Sequence, residues 1–123
     1  MALRPANSAP ETFMNPLDDV LLVLTHLPDR DAALKLAEAV IEEKVAACVN
    51  ILGTCISVYR WHGKIENAEE IPLLIKTTGA RYAALEAVLR RLHPYELPEI
   101  IAVPVAHGLP GYLRWVAEET RVA

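Results

Sequence analysis

The residues best suited to hold a metal ion are Cys48 and four histidines, His26, His62, His93 and His107. Thiolate and imidazole are soft or borderline donors that suit copper and zinc. Their spacing makes no ready site, because no histidine pair stands at i, i+4 and there is no C-x-x-C. Each also has a plain structural role. Cys48 reads as a small apolar residue in a buried strand. His93, between a helix and Pro94, reads equally as a cap matched to the helix dipole or as a binding residue at a helix end that solvent and a neighbouring subunit can both reach. In an oligomer, one histidine repeated by symmetry would still build a shared site. Trp61, Tyr95, Tyr112 and Trp115 suit a cleft wall or an oligomer contact, and contacts are where aromatics concentrate. Lys64, Glu66, Lys76 and Glu99 flank predicted strands, either as solvated strand ends or as contacts to an ion or a small anion. Lys64, Lys76 and His93 together would suit an anion, although no Gly-rich phosphate loop accompanies them. His93 and Glu99 offer an acid and a base, with no nucleophile beside them.

These residues depend on a set of elements that the hydrophobic pattern defines. Asp18 to His26 is a short apolar run and reads as a buried strand. Asp29 is a plausible helix N-cap, and Ala33, Leu36, Ala37, Val40 and Ile41 fit one helical face ending near Lys44. Ala46 to Trp61 alternates and is rich in Val, Ile and aromatics, so it predicts a long strand. Gly53 interrupts it, and the apolar phase slips there, the mark of a bulge or bend. His62-Gly63-Lys64 is a turn, and Glu69 to Thr78 the returning strand, with Pro72 marking an edge or a strand end. Gly79 precedes a second helix with Tyr82, Leu85, Val88, Leu89 and Leu92 on its apolar stripe. Arg90 and Arg91 suit its last turn, and Pro94 stops it at His93. Glu99 to Ala106 predicts a further strand, and Tyr112, Leu113 and Val116 the apolar side of a last helix. The order β-α-β-β-α-β plus a terminal helix is the ferredoxin-like α+β arrangement.

The chain of 123 residues is 53% hydrophobic and 23% charged, with a net charge of -4. That is one domain with a real core, which excludes disorder over its length. Two cysteines exclude a disulfide scaffold. Seven residues apart in one extended strand, they would stand roughly 23 Å from each other. An acidic domain with scattered Lys and Arg is a poor nucleic-acid binder, and it lacks the aromatic-basic signature of an RNA-binding βαββαβ module. No apolar run approaches the roughly 18 residues that span a bilayer. Residues 1–17, polar and Pro-rich, read as a disordered tail without the apolar region of an export signal, so the cytoplasm is the expected compartment. Residues 18–123 read as the single domain.

Assembly is also legible. Val20 to Leu24, Leu73 to Ile75 and Ile100 to Val103 are apolar at consecutive positions, so both sheet faces are apolar while two helices cover only one. The terminal helix can cover part of the second face, and a partner subunit the rest. The stretch from Ala46 to Trp61 would extend over roughly 50 Å, in a domain whose radius of gyration is roughly 14 Å. Such a hairpin must bend or protrude, with Tyr59 and Trp61 near its tip.

The motifs Tyr59-x-Trp61-x-Gly63-Lys64, Lys76-Thr77-Thr78, His93-Pro94-Tyr95 and Pro98-Glu99, with ACVNIL and GLPGYLRWV, resemble the CutA family of divalent-cation-tolerance proteins. The resemblance covers about Asp18 to Thr120. It implies a homotrimer related to the PII signalling fold and a long bent hairpin. It also implies a link to copper or another divalent cation and no established catalysis. On this reading Trp61, Lys64, Glu66, Lys76, Tyr95, Glu99, Tyr112 and Trp115 surround a cleft between subunits, with His93 and Cys48 as metal donors. The alternatives are a PII-like sensor of a small anion and a small ferredoxin-like enzyme. Thr25 and Val88 stand where some bacterial relatives carry cysteine, so Cys48 is the thiol that matches the family. Gly53-Thr54 stands where Pro-Gly is common.

Overall fold

A computed structural model describes residues 19–122. The tail expected over 1–17, and Asp18 at the head of the domain, lie outside the described residues. Strand β1 spans Val20–Leu27. Val23, Thr25 and Leu27 are buried, while Leu22, Leu24 and His26 on the opposite face are half-buried. Pro28 and Asp29 end the strand. The Asp29 carboxylate accepts the Ala32 N–H at 2.8 Å and so starts helix α1, Arg30–Glu42. Ala33, Leu36, Ala37 and Val40 bury its apolar face, whereas Ile41, expected there too, is 41% exposed at the edge of the stripe. Lys44 takes a left-handed conformation at φ 59°, and Val45 N–H reaches Val40 O while Lys44 N–H reaches Ile41 O. This is a Schellman ending made without glycine.

The single long strand expected over 46–61 is two strands, β2 (Cys48–Ile51) and β3 (Cys55–Trp61), both paired antiparallel with β4 (Lys64–Thr78). Ile51 lies opposite Leu73 and Cys55 opposite Glu70, so residues 52–54 face only 71–72. The one extra residue is the phase slip seen in the sequence. Pro72 is not at an edge or a strand end. It sits inside β4 at this irregular point, and its carbonyl accepts the Leu52 N–H at 2.9 Å. β4 also begins at Lys64 rather than Glu69. His62 and Gly63 both have positive φ, 50° and 81°, which makes a two-residue primed turn and restarts pairing at once, with Trp61 opposite Lys64.

Helix α2 is Gly79–Leu92, with Leu85, Val88 and Leu89 buried and Leu92 42% exposed. Gly79 is its first residue, and its N–H donates to Asp19 O. His93 caps the other end with ψ 133°, the extended conformation that Pro94 imposes. β5 is shorter than expected, Ile101–Pro104, and pairs only with β1. Helix α3, Pro110–Glu119, starts with proline in its first turn.

The sheet runs β2-β4-β1-β5, with β3 continuing beyond β2 along β4. Val23, Leu27, Leu73 and Ile75 pack under Leu36, Val40, Leu85 and Leu89 to form one core. Helix α3 touches β1 and β4, and its buried Val116 lies outside that core cluster. It therefore covers ground that α1 and α2 do not, and leaves the second sheet face half-buried.

Candidate functional site

A cleft of roughly 810 Å³ opens where the hairpin, the end of β1 and the 93–99 loop meet. The β3–β4 ladder supplies Trp61, Glu66 and Glu70; β1 supplies His26; the loop after α2 supplies Tyr95 and Glu99. Strand alternation puts His26 here. Thr25 and Leu27 point into the core, so His26 must point to the other face. Its Nδ1 lies 3.3 Å from a Glu99 carboxylate oxygen. Across the cleft the Tyr95 hydroxyl donates to Glu70 at 2.7 Å.

The electrostatics follow from these contacts. Burial, and then the Glu70 carboxylate that accepts its proton, push the Tyr95 phenol well above the usual range, so it stays a donor. For Glu70, burial alone disfavours the charge. Hydrogen bonds from Ser57 and Tyr95, with the histidines nearby, outweigh it and hold the carboxyl below its ordinary value. Glu66, Glu70, Glu96 and Glu99 stand against one cation, Arg60, in the cleft lining, so the cleft favours positive ligands over anions.

Four of the expected cleft residues, Trp61, Glu66, Tyr95 and Glu99, come together here. Within one protomer the other four lie elsewhere. Lys64 is exposed at the hairpin turn. Lys76 donates to Asn50 Oδ1 at 2.5 Å and lies 3.9 Å from Cys48 Sγ. Tyr112 and Trp115 stack on α3 with ring centroids 5.6 Å apart. Glu70 was missed by the sequence pattern, because a glutamate in an alternating strand reads as solvated until its cross-chain partner is known. His26 entered only as one of four histidines, because β1 is apolar on both faces and its sequence does not say which face is the core.

The two residues expected as metal donors occupy different settings. Cys48 is half-buried and has an ammonium beside it, which opposes a cation there. His93 is not reachable from solvent as its helix-end position implied; it is 8% exposed, with Nε2 3.1 Å from Thr25 Oγ1 and Nδ1 accepting the Tyr95 N–H at 3.3 Å. Burial pushes its pKa down. The acid–base pairing of His93 with Glu99 is not assembled: Glu99 contacts His26 instead. Among the described residues of one protomer, no group of three or more His, Cys, Asp or Glu side chains is placed to hold a metal ion. His26 and Glu99 are nonetheless the nitrogen and oxygen donor types that suit Cu(II), and they converge on one cleft wall.

Sheet order and helix placement define the class: a ferredoxin-like α+β domain. The family model for the CutA1 divalent ion tolerance protein matches residues 21–119, and the chain belongs to that family. It is 42% identical over 99 residues to the divalent-cation tolerance protein CutA of Thermus thermophilus, covering 80% of this chain and 96% of the relative. It is 40% identical over 101 residues to the chloroplastic protein CutA of Arabidopsis thaliana, covering 82% of this chain and 56% of that longer protein. The crystal structure of CutA from Xylella fastidiosa superposes with a TM-score of 0.82 at 46% identity, covering 84% of this chain and 99% of the other. No helix among the described residues is long and apolar enough to cross a membrane.

Proposed function

We propose that the chain is a divalent-cation tolerance protein that binds a metal ion, copper first, as a homotrimer in the cytoplasm, and that it catalyses no reaction. The observation that carries the metal reading is the His26–Glu99 pair on the wall of a cleft with four carboxylates and one arginine. Cu(II) stands at the top of the divalent affinity order for mixed nitrogen and oxygen donors. One protomer supplies two convergent donors, and a neighbouring subunit completes the set. The chloroplastic name of one relative is said of that protein alone.

Assembly has its own support. Ile56, Val58 and Ile65 on the hairpin arm are 68%, 69% and 71% exposed, a patch that a free protomer would leave in water. Among the described residues β5 pairs only with β1, which leaves its outer edge open. The anion-sensor alternative is weakened by the acidic lining and by the placement of Lys64 and Lys76 outside the cleft of one protomer.

Calorimetric titration with Cu(II), Zn(II) and ATP tests the reading, alongside light scattering. Cu(II) binding by a species of three chains, weakened tenfold or more, roughly, in Glu99→Gln and His26→Ala, is the expected result. ATP binding without Cu(II) binding would favour the anion sensor. Loss of Cu(II) in Cys48→Ala alone would move the site to the Lys76 side of the sheet.

A further inference from the structure

We infer that His93 is the positioning residue of the cleft, a neutral imidazole that ties β1 to the loop carrying Tyr95 and Glu99. The inference rests on the cleft being the cation site. Three observations lead to it. First, the Tyr95 backbone N–H can only donate, and it meets Nδ1 of His93. Nδ1 must therefore carry the lone pair, and the single ring proton sits on Nε2 and is donated to Thr25 Oγ1. Second, both partners are held firmly. Thr25 is fully buried in β1, and Tyr95 OH is committed to Glu70. Third, residues 93–100 form no helix or strand, and Pro94 and Pro98 lack the N–H groups that would anchor the segment. Among the described residues, the side chains that tether it are those of His93, Tyr95 and Glu99.

The geometry thus forms a chain of contacts from core to cleft: Thr25, the His93 ring, the Tyr95 backbone, the Tyr95 phenol and Glu70. Glu99 sits four residues beyond Tyr95 in the same segment, where it meets His26. A metal at either ring nitrogen of His93 would have to break one of the two bonds that shape the loop. The residue therefore acts on the cation through the placement of Tyr95, Glu70 and Glu99, not as a ligand.

The test compares His93→Ala, His93→Gln and His93→Asn in the full-length protein. Asparagine places an oxygen near the position of Nδ1 and can accept the Tyr95 N–H; alanine cannot. Glutamine reaches toward Thr25 but displaces that acceptor. Two readouts are needed: amide hydrogen exchange at Tyr95 and Cu(II) titration. The expected result is Tyr95 exchange faster on the order of tenfold in His93→Ala, as for loss of one buried hydrogen bond. Cu(II) affinity should fall in parallel, and His93→Asn should restore both more fully than His93→Gln. Unchanged Tyr95 exchange in His93→Ala would overturn the positioning role. So would loss of Cu(II) binding in His93→Asn with Tyr95 exchange as in wild type, which would make His93 a ligand. If the wild type binds no Cu(II), or Glu99→Gln binds as well as wild type, the cleft reading itself fails; the exchange experiment still decides what His93 holds.

Discussion

Isoleucines in the two halves of β4 meet opposite surroundings. Ile71, Leu73 and Ile75 are at most 4% exposed, beneath α1 and α2. Ile65, six residues before Ile71, is 71% exposed, and Ile56 and Val58 on the paired β3 are 68% and 69% exposed. Residue type cannot account for this, since isoleucine appears in both halves. What differs is what lies across from the strand. The C-terminal half has two helices and two flanking strands; the N-terminal half pairs with β3 alone and meets the 93–99 loop only near Glu70. A lone two-stranded ribbon is marginal in water. The arm therefore draws its order from the β4 half anchored in the core and, in the proposed trimer, from a neighbour.

That contrast breaks most clearly by trimming one residue on each side. Leu73→Ala should destabilise the protomer by about 2–5 kcal/mol, because Leu73 is fully buried and its removal leaves a cavity. Ile65→Ala should change protomer stability by no more than about 0.5 kcal/mol, as at an ordinary surface position. Its effect should fall on assembly. Denaturant unfolding, combined with dissociation measured against concentration, separates the two. An Ile65→Ala protein that unfolds as early as Leu73→Ala, with assembly intact, would show the arm to be part of the protomer's own fold.

The aromatic at the arm's tip sharpens the same contrast with a smaller effect. Trp61 closes the turn opposite Lys64 and packs edge-on against His62, with ring centroids 4.9 Å apart. It makes no contribution to the core cluster. Trp61→Ala should weaken assembly by about 2 kcal/mol, the scale of an aromatic anchor, while leaving the unfolding of the core in place. Ultracentrifugation across a dilution series reads this directly. An unchanged dissociation midpoint would confine the role of the ring to the cleft wall.

How far the sequence reaches also divides along this line. Where neighbours are close in the chain, it is informative. The Asp29 cap, the end of α2 at His93 and the irregularity at Gly53 each follow from a few adjacent residues, and each is found. The family motifs carried the fold class further still. Where the partner is distant, the pattern is silent. Pro72 looked like an edge residue because nothing local announces that the strand facing it is broken. His93 looked accessible because a helix end before proline is commonly at the surface. Only Thr25, 68 residues away, shows it to be buried. Glu70 entered the site only once Tyr95, 25 residues on, was placed against it. The four cleft residues that gather in one protomer lie on the hairpin and the 93–99 loop, whereas Lys64, Lys76, Tyr112 and Trp115 lie outside that cleft.

The smallest expected effect probes the outer face of the helix layer, the wet counterpart of the arm. Arg91 in the last turn of α2 bonds Glu43, just past α1, at 2.7 Å. The two side chains are 57% and 41% exposed, so water and salt screen the pair. Arg91→Ala should cost roughly 0.2–0.5 kcal/mol, and less at high salt, because an exposed pair gains little over its hydrated ions. Thermal unfolding at low and high ionic strength, with the oligomeric state followed in parallel, measures both terms. A cost several times larger, or a change in assembly, would mean that the α1–α2 surface also meets a neighbour. The contrast between a solvated helix layer and a docked arm would then be wrong in its first half. A small salt-sensitive cost with assembly unchanged keeps the helix layer outside the proposed contacts at the sheet edge and the hairpin.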